Sequence, residues 1–246
     1  MDGLLINTED IITLSINQLL ENSWVFHDWA KLPISREQFA RESKEKMRLH
    51  FPNCKPLPGA EKFLSNLSLA RSASEDRIEL ALASSTKTSS YELKASGAEI
   101  KHLLSFFQSE RMVLGDDPRV RQGRGKPAPD IFLVALQALN STMGSVKTAI
   151  RPNECLVFED SVAGVGAARR AGMRVVWVPH PDVAFEYQDR QKDVLAGRTG
   201  ISEAGDNWQL GENEDGWAET MSSLEHFDYK KHGITVPSNL TDPSME

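Results

Sequence analysis

Cys155-Leu156-Val157-Phe158-Glu159-Asp160-Ser161-Val162-Ala163-Gly164-Val165-Gly166-Ala167-Ala168-Arg169-Arg170-Ala171-Gly172, followed at once by Arg174-Val175-Val176-Trp177-Val178, decides the fold. It opens on an unbroken apolar run, is stopped by two adjacent carboxylates, and passes into an Ala-rich stretch that ends in Gly, a usual helix stop. A second apolar run then begins. Continuous apolar runs of this length suit strands buried on both faces of a parallel sheet. Residues 78–83 and 111–114 form two more such runs, and residues 130–140 carry apolar side chains at helical spacing. Strand, helix and strand in alternation imply an α/β fold with a doubly wound parallel sheet, its functional site at the carboxyl ends of the strands.

Outward from this centre the chain changes character. Residues 10–58 hold helical stretches at 10–22 and 35–50 and an aromatic cluster of Trp24, Phe26 and Trp29. They read as a helical insert, and Pro56-Leu57-Pro58-Gly59 marks the return to the core. The core is expected to comprise residues 1–9 and 59–235. Beyond His180 the chain is rich in Asp, Glu, Gly and Ser, so residues 198–217 and 236–246 read as loop or disorder. A length of 246 residues allows one large α/β domain, or a core with a small accessory domain. The net charge of −7, without a long Lys/Arg run, argues against nucleic acid or an anionic membrane as the main partner. The spacing of Cys54 and Cys155 suits neither a zinc site nor a disulfide framework. Cys155, next to an apolar run, reads as a buried small hydrophobe. With no signal peptide and no apolar run of about 18 residues, a cytoplasmic protein is expected. The oligomeric state is not legible.

Four places could carry chemistry. Met1-Asp2-Gly3-Leu4-Leu5-Ile6-Asn7-Thr8-Glu9 has a tight-turn pair, Asp2-Gly3, and Thr8-Glu9 opening a helix; a plain turn and helix cap is the alternative. The run 78–83 ends in Ser84-Ser85, which puts a hydroxyl and backbone N–H donors at a strand's carboxyl end, where a phosphoryl oxygen needs them. A hydroxyl-rich turn is the alternative there. Gly125-Lys126-Pro127-Ala128-Pro129-Asp130 holds Lys126 on a Pro-stiffened loop before a helix, placed to neutralise phosphate unless it is a solvated surface lysine. It is not a Walker A loop, because Pro follows the lysine. Finally, Glu159 and Asp160 repel each other at a strand end, which a hard cation relieves. Oxygen-only donors there suit Mg²⁺ better than Zn²⁺; Asp160 acting only as a helix cap is the alternative. Gly164-Val165-Gly166 is no dinucleotide fingerprint, since Arg169 stands where the third glycine belongs.

In this order the four stretches resemble the motifs of the haloacid dehalogenase-like phosphohydrolases, from Met1 to about Pro179. The resemblance implies a Rossmann-like core with a helical cap and a Mg²⁺-dependent phosphatase of a small phosphorylated metabolite. It implies that Asp2 is the general acid and also offers the metal its carbonyl. Ser84, Ser85 and Lys126 would hold the phosphoryl oxygens, and Glu159 and Asp160 would anchor the metal, Asp160 directly. Val113-Leu114-Gly115-Asp116-Asp117-Pro118 through Asp130-Ile131-Phe132 resembles the subgroup that includes pseudouridine-5′-phosphatase and related sugar or polyol phosphatases. A sugar-phosphate mutase uses the same motifs.

The sequence departs from the family's pattern twice. The nucleophilic aspartate would stand one residue before Met1, preceded by an apolar strand, and neither is among these residues. Five buried apolar side chains at ~1.5–3 kcal/mol each amount to roughly 8–15 kcal/mol, as much as a whole domain's stability. The insert is also shorter than the family's cap, around residues 23–31. The alternative to a phosphatase is therefore a catalytically inactive relative that binds phosphorylated ligands or serves as an interaction scaffold.

Overall fold

Val175 and Trp177 pack into one apolar cluster, while Val176 and Val178 pack into another. An extended chain turns successive side chains to opposite faces, so this strand has an apolar layer on each side. The computed structural model describes residues 1–8, 31, 33–144, 148–199 and 211–237. The expected helix at 10–22, the aromatic cluster Trp24, Phe26 and Trp29, and most of the loop and tail expected at 198–217 and 236–246 lie outside the described residues.

The strands are β1 (Arg71–Ser72), β2 (Leu82–Ala83), β3 (Met112–Val113), β4 (Leu156–Glu159), β5 (Arg174–Trp177), β6 (Ala218–Thr220) and β7 (Ile234–Thr235). The principal helices are α1 (Arg36–His50), α2 (Ala60–Leu69), α3 (Thr88–Lys94), α4 (Ala98–Leu104), α5 (Asp130–Thr142) and α6 (Val162–Arg170). β2 and β3 pair in parallel, with Ala83 opposite Val113. β4, β5 and β6 form a second parallel set, in which Trp177 lies between Glu159 and Thr220. β1 and β7 make a short antiparallel ribbon. Phe63 and Leu64 of α2 and Ile100 and Leu103 of α4 cover one face, together with Leu82 and Val176. Ile131 and Phe132 of α5 and Val165 of α6 cover the other, together with Val113 and Val175. This is the doubly wound α/β architecture expected from the sequence.

Helix boundaries follow local chemistry. Ser35 caps α1, its Oγ accepting from the Gln38 amide at 3.1 Å, and Ser161 caps α6, accepting from the Gly164 amide at 3.0 Å. The chain leaves α6 through Gly172 at φ +72°, in the left-handed region. The run 78–83 pairs as a strand only at Leu82 and Ala83. Cys155, expected to be buried, is half-buried. It packs against the second cluster but also borders a cavity of 980 Å³ that lies between β2 and β4. Burial still pushes its thiol up to about 11. No helix among the described residues is long and apolar enough to cross a membrane.

Candidate active site

The carboxyl ends of β2 and β4 are tied together by one ammonium. Lys126 Nζ donates to the Ala83 carbonyl at 3.3 Å and forms an ion pair with Glu159 Oε1. It also lies 4.9 Å from the centre of the Phe132 ring. Lys126 comes from the loop before α5 and Glu159 from the last position of β4, so the sheet edge gathers what the sequence separates. Both side chains are almost wholly withdrawn from solvent, at 10% and 5% exposure. A buried carboxylate needs such a partner, because removing it from water costs several kcal/mol.

Glu159 has a second set of donors. Its Oε2 accepts from Ser161 Oγ at 3.1 Å and from the Ser161 amide at 3.4 Å. This pocket is closed by Gly164, where an added Cβ would sit 2.0 Å from Glu159 Oε2. Gly→Ala inside a helix ordinarily stabilises by ~0.5–1 kcal/mol. Here Gly164→Ala is expected to destabilise by about 1–3 kcal/mol through overpacking. Urea denaturation gives the sign, and a stabilising result would contradict this packing.

Asp160 differs from its neighbour. It remains half-buried, and its carbonyl accepts from the Trp177 indole N–H at 2.9 Å. Burial, and next the Glu159 charge, push its carboxyl up to about 7. Two carboxylates at one strand end are thus unequal: Glu159 pairs with Lys126, whereas burial disfavours the charged form of Asp160.

Ser84 is buried just beyond β2, its amide donating to the Val113 carbonyl at 2.9 Å. Its Oγ accepts from the Thr86 amide at 3.2 Å. Ser85 is exposed, and its carbonyl packs so closely on Gly115 that a Cβ there would lie 2.1 Å away. Asp2 joins this loop from the chain's first turn. One oxygen accepts from Thr86 Oγ1 and the other from Lys94 Nζ at 2.8 Å. Burial opposes ionisation of Asp2, but the charges of Lys94 and of the Met1 ammonium, with the hydrogen bonds from Lys94 and Thr86, outweigh it and hold the carboxyl below the usual range. Lys94 is itself buried and lies 4.4 Å from the centre of the Phe51 ring.

The expected residues therefore meet in two linked groups. Lys126, Glu159 and Asp160 form one, and Asp2 joins the Ser84 loop through Thr86 in the other; Lys126 connects them at Ala83. Among the described residues no three His, Cys, Asp or Glu side chains converge on one point, so the acidic groups do not form a closed cage. Thr86 and Lys94 went unread in the sequence. Thr86 had one signal, its place in a run of hydroxyls. Lys94 had none, being separated from Asp2 by 92 residues.

Parallel strands between two helical layers, with a lysine, a hydroxyl loop and paired carboxylates at one edge of the sheet, define an α/β protein. A model of the haloacid dehalogenase-like hydrolases matches residues 1–172, and the chain belongs to that family. It is 32% identical to a probable pseudouridine-5′-phosphatase of Saccharomyces cerevisiae, over 95% of this chain and 94% of the yeast protein. It is 32% identical to (DL)-glycerol-3-phosphatase 2 of Arabidopsis thaliana, over 79% of this chain and 83% of that protein. Among solved structures, a putative β-phosphoglucomutase from Thermotoga maritima superposes with a TM-score of 0.52 at 26% identity, covering 73% of this chain and 83% of that one.

Proposed function

We propose that this is a phosphomonoester-binding site of a phosphatase that acts in the cytoplasm on a small phosphorylated metabolite, a nucleoside, sugar or polyol monophosphate. The carrying observation is Lys126, which touches the ends of both β2 and β4 at the edge where Ser84 and Asp2 also lie. The names of the yeast and Arabidopsis relatives support the substrate class. Two free cysteines, Cys54 and Cys155, accord with a reducing compartment.

The donors fit Mg²⁺. They are all oxygen, and the Asp160 carboxyl, pushed up first by burial and next by the Glu159 charge, is one that a bound cation would hold ionised. Mg²⁺ keeps several waters and needs only one or two carboxylates, so an open donor set suffices. Asp160 would hold it directly, with the Asp2 carbonyl. Glu159, engaged by Lys126 and Ser161, would act by fixing the lysine. Bound there, the ion would supply Lewis-acid neutralisation of the phosphoryl oxygens.

The remaining work falls to the chain. Lys126 faces the developing charge, and the Ser84 hydroxyl with the Ser85 amide orients the phosphoryl group. Asp2, held ionised by Lys94 and Thr86, takes up a proton as the substrate's dianion raises its proton affinity, then delivers it to the leaving oxygen. Residues 10–58 would form the lid that closes over the substrate.

The protein is expected to bind inorganic phosphate at this edge, and hydrolysis of p-nitrophenyl phosphate with Mg²⁺ tests whether it also turns a phosphomonoester over. Turnover abolished by Asp2→Ala or Lys126→Ala would show that attack comes from within these residues. Binding without turnover would match the second reading, a phosphate-binding relative. Loss of both would leave only a scaffold.

A further inference from the structure

Two adjacent arginines close α6, and their surroundings differ. Arg169 pairs with Asp215 and lies 5.9 Å from the centre of the Trp217 ring. Arg170 is 5% exposed, and its Nε has no hydrogen-bond partner among the described residues. Burial alone lowers the proton affinity of its guanidinium, with no nearby carboxylate to raise it again. The one hydrogen bond it makes among the described residues is from Nη1 to the Pro127 carbonyl, at 3.5 Å. A buried guanidinium without a countercharge costs stability.

Pro127 belongs to the turn that carries Lys126. The Ala128 amide donates to the Gly125 carbonyl at 2.9 Å, so Lys126 and Pro127 are the central residues of that turn. Ala128 is fully buried, and Pro127 and Pro129 are buried beside it. On one side the Lys126 ammonium reaches Ala83 and Glu159. On the other side the backbone of the same turn rests on α6 through Arg170. Side chains on a helix lean toward its N-terminus, so Arg170 runs back over the preceding turn and across Gly166. A Cβ on Gly166 would sit 2.8 Å from Arg170 Nη1 and 3.5 Å from Pro127 Cβ. The spacing of Gly164 and Gly166 thereby finds a use. The first glycine leaves room for the Glu159 carboxylate and the second for the guanidinium. Both paths end on Lys126, one at its ammonium and one at its backbone.

We propose that Arg170 is a positioning residue of the phosphate site: through the Pro127 carbonyl it braces the turn that aims Lys126 at the phosphoryl oxygens, and Gly166 is the opening through which it reaches. This rests on the phosphate-binding role given to Lys126 above. Arg170 touches no substrate and acts only through the lysine. A braced turn presents its ammonium already ordered, so less freedom is lost when the anion arrives. An ordinary core contact has the opposite signature in stability. Removing it weakens the fold, whereas replacing a buried charge that lacks a countercharge by an apolar chain is neutral or stabilising.

The test compares the parent with Arg170→Met, Arg170→Lys, Gly166→Ala and the double variant Gly166→Ala with Arg170→Met. Each is followed by melting temperature, by hydrogen exchange without ligand, and by calorimetric binding of inorganic phosphate. Arg170→Met is expected to melt no lower than the parent. Its Ala128 amide should exchange about tenfold faster while the Val165 and Ala168 amides of α6 are unchanged, and its phosphate affinity should fall about tenfold. Arg170→Lys keeps a donor and should recover most of that affinity. Gly166→Ala displaces Nη1, the free end of a flexible side chain, so it should reproduce the effects of Arg170→Met, and the double variant should add nothing to either. Unchanged Ala128 exchange or unchanged phosphate affinity in Arg170→Met would overturn the proposal. So would a lower melting temperature with faster exchange throughout α6, the mark of a core contact. A parent that binds no phosphate, with Ala128 still exchanging faster in Arg170→Met, would sink the phosphate reading of Lys126 and leave the bracing of its turn standing.

Discussion

Lys126→Met is expected to destabilise the fold by about 3–5 kcal/mol, because it strands the Glu159 carboxylate in a buried position. Glu159 is 5% exposed and keeps only the Ser161 donors once the ammonium is gone. In a chain of this size such a loss lowers the melting temperature by about 6–20 °C. The double variant Lys126→Met with Glu159→Gln is expected to recover most of it, since a neutral amide no longer demands a countercharge. Urea denaturation of the single and double variants decides the matter. A Lys126→Met effect below 1 kcal/mol, or a double variant no better than the single, would mean that the pair is not a buried, mutually dependent unit. Phosphate affinity should fall in both variants, which separates the ligand role of the lysine from its structural one.

Asp160→Asn carries the second large effect, and its sign depends on pH. The Asp160 carboxyl sits at about 7 in the folded chain, against ~3.9 for an unfolded aspartate. A carboxyl raised on folding contributes stability that is fully present below the unfolded value and is lost as pH climbs through the folded one. The parent chain should therefore weaken between about pH 4 and 7. One group of this kind gives at most ~1.4 kcal/mol per pH unit, and partial solvent screening brings it nearer 1. Asp2 acts in the opposite direction: its carboxyl is depressed, so its contribution is lost only in acid, below about pH 4. The interval from pH 5 to 7 thus isolates Asp160. Asp160→Asn should flatten the profile there and be the more stable protein at pH 8. Millimolar Mg²⁺ should restore the parent chain at pH 8 and leave the variant unchanged. Parallel stability profiles for parent and variant from pH 5 to 8 would refute this account.

The sequence was most legible where local pattern and tertiary demand coincide. Residues 155–158 and 174–178 could be read as strands because burial on both faces makes every position apolar, and α6 because Ser161 and Gly172 punctuate it. β6 was invisible for the converse reason. Among the described residues Ala218-Glu219-Thr220 pairs only with β5, and Glu219 is satisfied by Lys231 and His232, so the stretch looks like polar loop. At the candidate site, Lys126 and the acidic pair could be read from short strings. What the strings could not show is that Glu159 and Asp160, adjacent in sequence, part company in space. The alternation of an extended chain turns one toward Lys126 and leaves the other half-solvated. The Lys94–Asp2 pair is a contact between distant segments, and no periodicity or cap announces such a pair.

Trp177 gives the molecule a built-in optical reporter. Its indole is almost wholly enclosed and donates its N–H to the backbone of Asp160, whereas Trp217 is 39% exposed. Ion loading or proton loss at Asp160 changes the field across that ring directly. Emission from a form in which the other four tryptophans are replaced by phenylalanine would then follow occupancy of the edge in real time, without a label and without turnover.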